Sequence, residues 1–273
     1  MQNDQPASRP LKDRVAVVTG ASRGAGRGIA IELGAAGATV YVTGRSTRAQ
    51  PAASYGQLLA LSGMEALPGT IDATADEVSR QGGRGIAVRC DHESFDGVFE
   101  APFWTHPLAH WDSMFDRGVR NHLLASRCAA PLMVRCRQGL IVTTTFWDRG
   151  HYLRGNLFYD LAKASMTRLA FGMAQELAPH GVASVALSPG WMRTEFVLAG
   201  HKTDEAHWQE RPELARTESP RYLGRAVAAL AGDAKVLDRT GEVLRVADLA
   251  REYGFTDIDG RQPAPFEMAQ DAP

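Results

Sequence analysis

The chain has 273 residues, with 30 Lys+Arg against 31 Asp+Glu and a net charge of −1, which excludes the basic footprint of a nucleic-acid binder and an acidic tail protein. A hydrophobic fraction of 44% supports a sizeable core, and no apolar run approaches the ~18 residues of a membrane span. The N-terminal Met-Gln-Asn-Asp-Gln-Pro lacks the basic and then apolar layout of a signal peptide, and Cys90, Cys128 and Cys136 form no disulfide pattern, so a soluble cytoplasmic chain is expected.

A leader over 1–14 precedes the first expected strand, 15–19. Next come Thr19-Gly-Ala-Ser-Arg-Gly-Ala-Gly26 and a helical pattern over roughly 25–36. Glycines let a backbone turn tightly against a pyrophosphate, and a helix N-terminus offers free N–H groups and a positive dipole end. Gly20, Ser22, Arg23, Gly24, Ala25 and Gly26 are therefore candidate cofactor-binding residues; the alternative is an ordinary strand-to-helix turn. The second strand, 39–43, ends in Thr43-Gly-Arg-Ser46 with no acid to bind a ribose 2′-hydroxyl. Arg23 and Arg45 together suit a 2′-phosphate, which favours NADP over NAD. Against this stands the general abundance of arginine, with 26 Arg to 4 Lys.

After a long loop over 44–70, a helix over 71–82 and a strand over 85–89 follow. Asp91 lies just beyond, placed to meet an adenine or simply to make a turn. His106 and His110 stand four apart but lack a third ligand at matching spacing, so no metal is expected. Cys128 and Cys136 lie on a helix expected over 107–137 and read most simply as core residues. A strand at 140–144 precedes a helix over 157–179 that opens with Tyr159-Asp-Leu-Ala-Lys163. The phenol and ammonium share a face one turn apart, and a neighbouring cation lowers a phenol's pKa toward working pH. The last elements are a strand over 182–187, a helix over 220–232 opened by Ser219-Pro220, and a strand over 242–246. Short Val/Ile-rich runs alternating with helices argue a doubly wound parallel sheet in a single Rossmann-like domain spanning 15–247, followed by a tail at 248–273.

The TGASRGAG loop, Tyr159 with Lys163, and Ser188-Pro-Gly190 followed by Thr194 resemble the short-chain dehydrogenase/reductase family, from about Leu11 to Val246. The tail beginning Ala247-Asp-Leu-Ala-Arg-Glu-Tyr-Gly-Phe is similar to that of one branch of this family. The resemblance implies an NADP-dependent oxidoreductase acting on a small carbonyl or alcohol substrate. Tyr159 would be the acid/base, Lys163 its activator, Pro189 and Gly190 the lining of the nicotinamide side, and Thr194 a carboxamide contact. Trp147-Asp-Arg149, Trp191 and Met192 would border the substrate, and 195–218 would be its lid. Homo-oligomerisation through the two long helices is also implied, with no nucleic-acid or membrane partner.

Three departures from the family pattern stand out. The family's catalytic Ser position, 13 residues before the Tyr, is Phe146; its neighbour Thr145 is the candidate substitute, or a structural strand residue. The family's helix Asn falls near Gly118, with Asn121 about one turn later. Asp91 and Gly118 are only 27 positions apart, too few for a helix, a strand and the family's Asn-Asn-Ala-Gly motif. The expected outcome is a six-stranded sheet in place of seven, closed by moving the fifth family strand beside the first, or by a vestigial strand at Gly97–Phe99. An alternative function follows: a catalytically impaired nucleotide-binding protein that lost a core segment.

Overall fold

In the computed structural model, residues 9–50, 67–90, 102–146, 152 and 156–267 are described. The first βαβαβ unit forms as its periodicity demands. Strand β1 (Val15–Val18) leads through the glycine loop into helix α1 (Gly24–Ala35), then β2 (Thr39–Gly44), helix α2 (Ile71–Arg80) and β3 (Arg84–Arg89). Thr70 caps α2 by accepting from Ala73 N–H, and Asp72 adds an acid to the first turn, a combination that favours helix initiation. The strands pair in parallel in the order β1-β2-β3, with Val17 opposite Tyr41 and Tyr41 opposite Ile86.

The second half begins with an exposed 3-10 turn, Phe103–Thr105, and helix α3 (Leu108–Asp112). A π-helical stretch, Ser113–Val119, joins α3 to helix α4 (Arg120–Cys136). Then come β4 (Gly139–Thr144), α5 (Leu157–Leu177), β5 (Val182–Ser188), α6 (Glu195–Gly200), α7 (Pro220–Gly232), β6 (Val243–Arg245) and α8 (Val246–Tyr253). These strands pair in parallel as β4-β5-β6. The expected element bounds hold within a few residues throughout.

The six described strands therefore form two three-stranded sheets, which corrects the expectation that the strand at 139–144 closes directly onto β1. The physical reason lies in α7. A Cβ on Gly28 of α1 would fall 2.2 Å from the Pro220 carbonyl oxygen, and one on Gly224 would fall 2.4 Å from the Gly28 oxygen. These helices are backbone against backbone. Glu32 of α1 clamps the same seam, accepting from Arg221 Nε at 2.6 Å. One core cluster then joins Val18, Val40 and Val42 of the first sheet to Val185, Leu187 and Leu244 of the second. Sliding β4 by one strand spacing, ~4.8 Å, would tear this packing apart.

Helices α1 and α2 cover one face of the first sheet, and α7 packs on α1. On the other face, Val15 is 68% and Val17 63% exposed, and Tyr41 and Val88 are exposed as well. Among the described residues nothing covers that face. The vestigial-strand candidate Gly97–Phe99 lies outside the described residues. Cys128 and Cys136 are exposed, which corrects their expected core placement. They stand with Leu124 and Leu132 on an i, i+4 stripe of α4 that no layer buries among the described residues. Within the expected tail, Leu249 and Ala250 of α8 are buried in the core.

Candidate functional site

The glycine loop has the geometry a pyrophosphate needs. Gly20 and Gly24 have φ of +63° and +54°, the left-handed region that glycine enters without steric cost. At Gly26, a Cβ would sit 2.4 Å from the Gly20 oxygen, so only glycine lets the helix start pass this close to the turn. The loop is held to the sheet by Ala21 N–H donating to the Thr43 carbonyl at 2.9 Å. Ser22 and Ala25 line the same turn. No metal cluster forms among the described residues.

Arg23 reaches toward the end of β2. Its Nη2 donates to Ser46 Oγ at 3.3 Å and to the Gly69 carbonyl at 3.1 Å, while Nε donates to the Pro68 carbonyl at 3.2 Å. Arg45 directly follows Gly44, the last residue of β2, so both arginines lie near the end of that strand. Asp91 lies outside the described residues. Ser46, which the sequence reading did not single out, is buried and belongs to this corner.

The second wall is the segment after β5. Thr194 caps α6, accepting from Val197 N–H at 3.4 Å, and its Cγ2 lies 3.6 Å from a Cβ built on Gly24. Glu195, also missed from sequence, accepts from Gly24 N–H at 2.7 Å. The loop's helix start therefore already holds an anionic oxygen, and the residues present fit a dinucleotide phosphate. Gly190 is held by Glu218: a Cβ there would meet Glu218 Oε2 at 2.7 Å. Burial pushes the Glu218 carboxyl up to about 8, and its Oε1 is a buried oxygen with no hydrogen-bond partner. Pro189 and Gly190 line a small cleft with Phe146 and Phe266.

Tyr159 and Lys163 lie on one face of α5, as their spacing requires. The ammonium sits over the phenol ring, 5.4 Å from its centroid, and donates to the Thr144 carbonyl at 3.4 Å. Burial pushes the Lys163 ammonium down to about 8 and the Tyr159 phenol up to about 12. The expected lowering of the phenol is thus absent in the free protein. A cation over the ring face is poorly placed to stabilise charge on the hydroxyl, and burial dominates.

Thr145 is buried on the β4 side of this pair, but its hydroxyl is committed elsewhere. It donates to the Lys163 carbonyl at 2.8 Å and lies 3.1 Å from Thr167 Oγ1. A hydroxyl carries one proton, and this one goes to α5. Phe146 faces Phe266 at 6.3 Å between ring centroids. Asn121 lies near the start of α4, just past the π-helical stretch. Trp147, Asp148 and Arg149 lie outside the described residues. Trp191 is at the surface beside His201, whereas Met192 packs on the main core.

The lid position, 195–218, is organised by a buried arginine. Arg193 donates to Glu205 Oε1 at 2.9 Å, Asp257 Oδ2 at 3.3 Å and Asp259 Oδ2 at 3.4 Å, with its guanidinium over the Trp208 ring. This network ties the C-terminal segment to the lid.

Comparison with known proteins agrees with this layout. Residues 20–247 match the family described as enoyl-(acyl carrier protein) reductase. Dehydrogenase/reductase SDR family member 1 of Mus musculus is 38% identical over 289 residues, covering 92% of this chain and 85% of that protein. The same protein of Homo sapiens is 36% identical over 269 residues with equal coverage. Both alignments are longer than 92% of 273 residues, so the relatives carry aligned residues that this chain lacks. A short-chain dehydrogenase from Mycobacterium thermoresistibile superposes with a TM-score of 0.75 at 26% identity, covering 94% of each chain. A protein from Beutenbergia cavernae, assigned as an NAD(P)-dependent gluconate 5-dehydrogenase and solved with NADP at low occupancy, gives 0.65 at 26% identity, covering 89% and 97%.

Proposed function

Because the chain belongs to the short-chain dehydrogenase/reductase family, we propose that it is an NADP-dependent oxidoreductase acting on a small carbonyl or alcohol, with Tyr159 as acid/base. The observation that carries this reading is the glycine loop at the α1 N-terminus with Arg23 turned to Ser46 at the end of β2. Gly20 to Gly26 would cradle the pyrophosphate, Arg23 and Arg45 the 2′-phosphate, and Pro189, Gly190 and Thr194 the nicotinamide side, with Asp91 toward the adenine. The cofactor supplies the hydride when bound.

In the reductive direction Tyr159 gives its hydroxyl proton to the substrate oxygen as charge develops there. A phenol near pKa 12 is a reluctant donor, so Lys163 must swing from the ring face toward the hydroxyl to lower it. Thr145 acts through Lys163, fixing the α5 turn that carries it. The exposed stripe Leu124, Cys128, Leu132 and Cys136 on α4, with Leu161 and Phe171 on α5, supports assembly of copies through these helices.

A second reading, a nucleotide-binding protein with impaired chemistry, is favoured by the committed Thr145 hydroxyl and the uncovered sheet face. The cofactor reading is tested by titrating NADPH and NADH into wild type and Arg23→Ala. The variant is expected to lose about 10–100-fold in NADPH affinity, the worth of a charge-assisted pair, with NADH unchanged. Equal loss for both cofactors would contradict the 2′-phosphate assignment.

A further inference from the structure

We propose that Glu195 is an affinity-setting latch, its carboxylate holding the cofactor pyrophosphate's place on α1 and leaving when the dinucleotide binds. The inference rests on the NADP reading of the loop and adds a residue that neither the glycine motif nor the Tyr–Lys pair predicts.

Helix α1 begins without a cap of its own. Arg23 at the cap position makes no side-chain hydrogen bond to the helix, and the first turn contains no acid. The unmet need of its N-terminus is answered from 171 residues away, by Glu195 Oε2 on Gly24 N–H at 2.7 Å. Arg27, one turn into the helix, stands 4.0 Å from the other oxygen, Oε1. A backbone N–H on a glycine loop and a first-turn guanidinium are the partners a phosphate would take, and here a carboxylate accepts from the first and stands near the second.

Glu195 is not drawn there by its own helix. It is the first residue of α6, whose N-terminus is already capped by Thr194, so its side chain turns away from α6 and across to α1. Two anions cannot share one N–H at hydrogen-bond distance, so a bound pyrophosphate displaces the carboxylate. Because Glu195 opens the 195–218 segment, its release also frees the start of the lid from the glycine loop.

The test uses the full chain as wild type, Glu195→Gln and Glu195→Ala. NADPH affinity is measured by fluorescence titration, and thermal unfolding is followed with and without inorganic pyrophosphate. Both variants are expected to bind NADPH about 2–5-fold more tightly, the worth of a carboxylate at a helix N-terminus. Without ligand, Glu195→Ala should melt below wild type, because α1 has lost its cap. With pyrophosphate, both variants should gain more stability than wild type does. Falling stability together with rising affinity is a pairing that a purely structural residue does not give. Folded variants with unchanged or weaker affinity for NADPH and pyrophosphate would overturn the latch. A larger pyrophosphate gain in the variants with no NADPH binding by any protein would uphold the latch and remove the NADP reading.

Discussion

The two faces of the first sheet differ sharply. On one, Ala16, Val18, Val40 and Val42 face α1, α2 and α7 and share a core with β5, β6 and α8. On the other, Val15, Val17 and Tyr41 face no helix among the described residues. The packed face carries the glycine loop and Arg23. Among the described residues β1 and β4 do not pair, so the glycine loop and Tyr159 belong to two separate sheets. The half of the fold that carries the glycine loop is thus built from contacts on the packed side alone, and among the described residues it does not depend on pairing between β1 and β4. Among the described residues, no direct strand pairing sets the position of Tyr159 against the glycine loop.

The largest effect that would break this division is on the chemistry side. Tyr159→Phe should lower carbonyl reduction by about 10²–10⁴-fold, the usual worth of a general acid, while NADPH affinity measured by titration stays within about twofold. A parallel fall in affinity would mean that the two regions are not separable.

Stability sharpens the contrast between the faces. Leu223→Ala, fully buried on α7, should cost about 2–5 kcal/mol in denaturant unfolding. Val17→Thr should stay within about 0.5 kcal/mol, because its side chain already faces water. A large loss at Val17 would show that the face is covered in solution.

A pH-dependent effect concerns Glu218 beneath Gly190. Burial holds its pKa near 8, above the ordinary carboxylate value, so the folded state keeps a proton that the unfolded state releases between about 4.5 and 8. Stability is therefore lost as pH rises through that window. Glu218→Gln should escape this loss, gaining on wild type from pH 5 to pH 8 in parallel unfolding curves. A constant difference would place the carboxyl in water.

Much of the fold was legible because its signals are local. Val/Ile runs, the glycine loop and Ser219-Pro220 each mark their own element, and Tyr159 and Lys163 are fixed on one face by helix spacing alone. The residues that escaped are those whose roles arise from distant packing. Glu195 follows Thr194 in sequence, yet nothing local says that it caps α1. Thr145 reads from sequence as a substitute for the family's catalytic Ser or as a structural strand residue, but nothing local shows that its hydroxyl donates to the Lys163 carbonyl on α5. Cys128 and Cys136 carry an apolar pattern that presumes a covering layer. The shortfall between Asp91 and Gly118 announced a missing unit, but whether the sheet would close or stay divided depended on the Gly28–Pro220–Gly224 seam, a tertiary contact with no sequence period.

Titration of NADPH into the purified protein, followed by single-turnover hydride transfer to a panel of ketones and aldehydes, separates the two regions most directly. Saturable binding at about micromolar concentration is expected, together with carbonyl-dependent NADPH oxidation that disappears in Tyr159→Phe. Binding without transfer to any carbonyl would select the impaired reading. Absence of NADPH binding, or transfer that survives Tyr159→Phe unchanged, would contradict the division of labour between the packed and the bare side of the sheet.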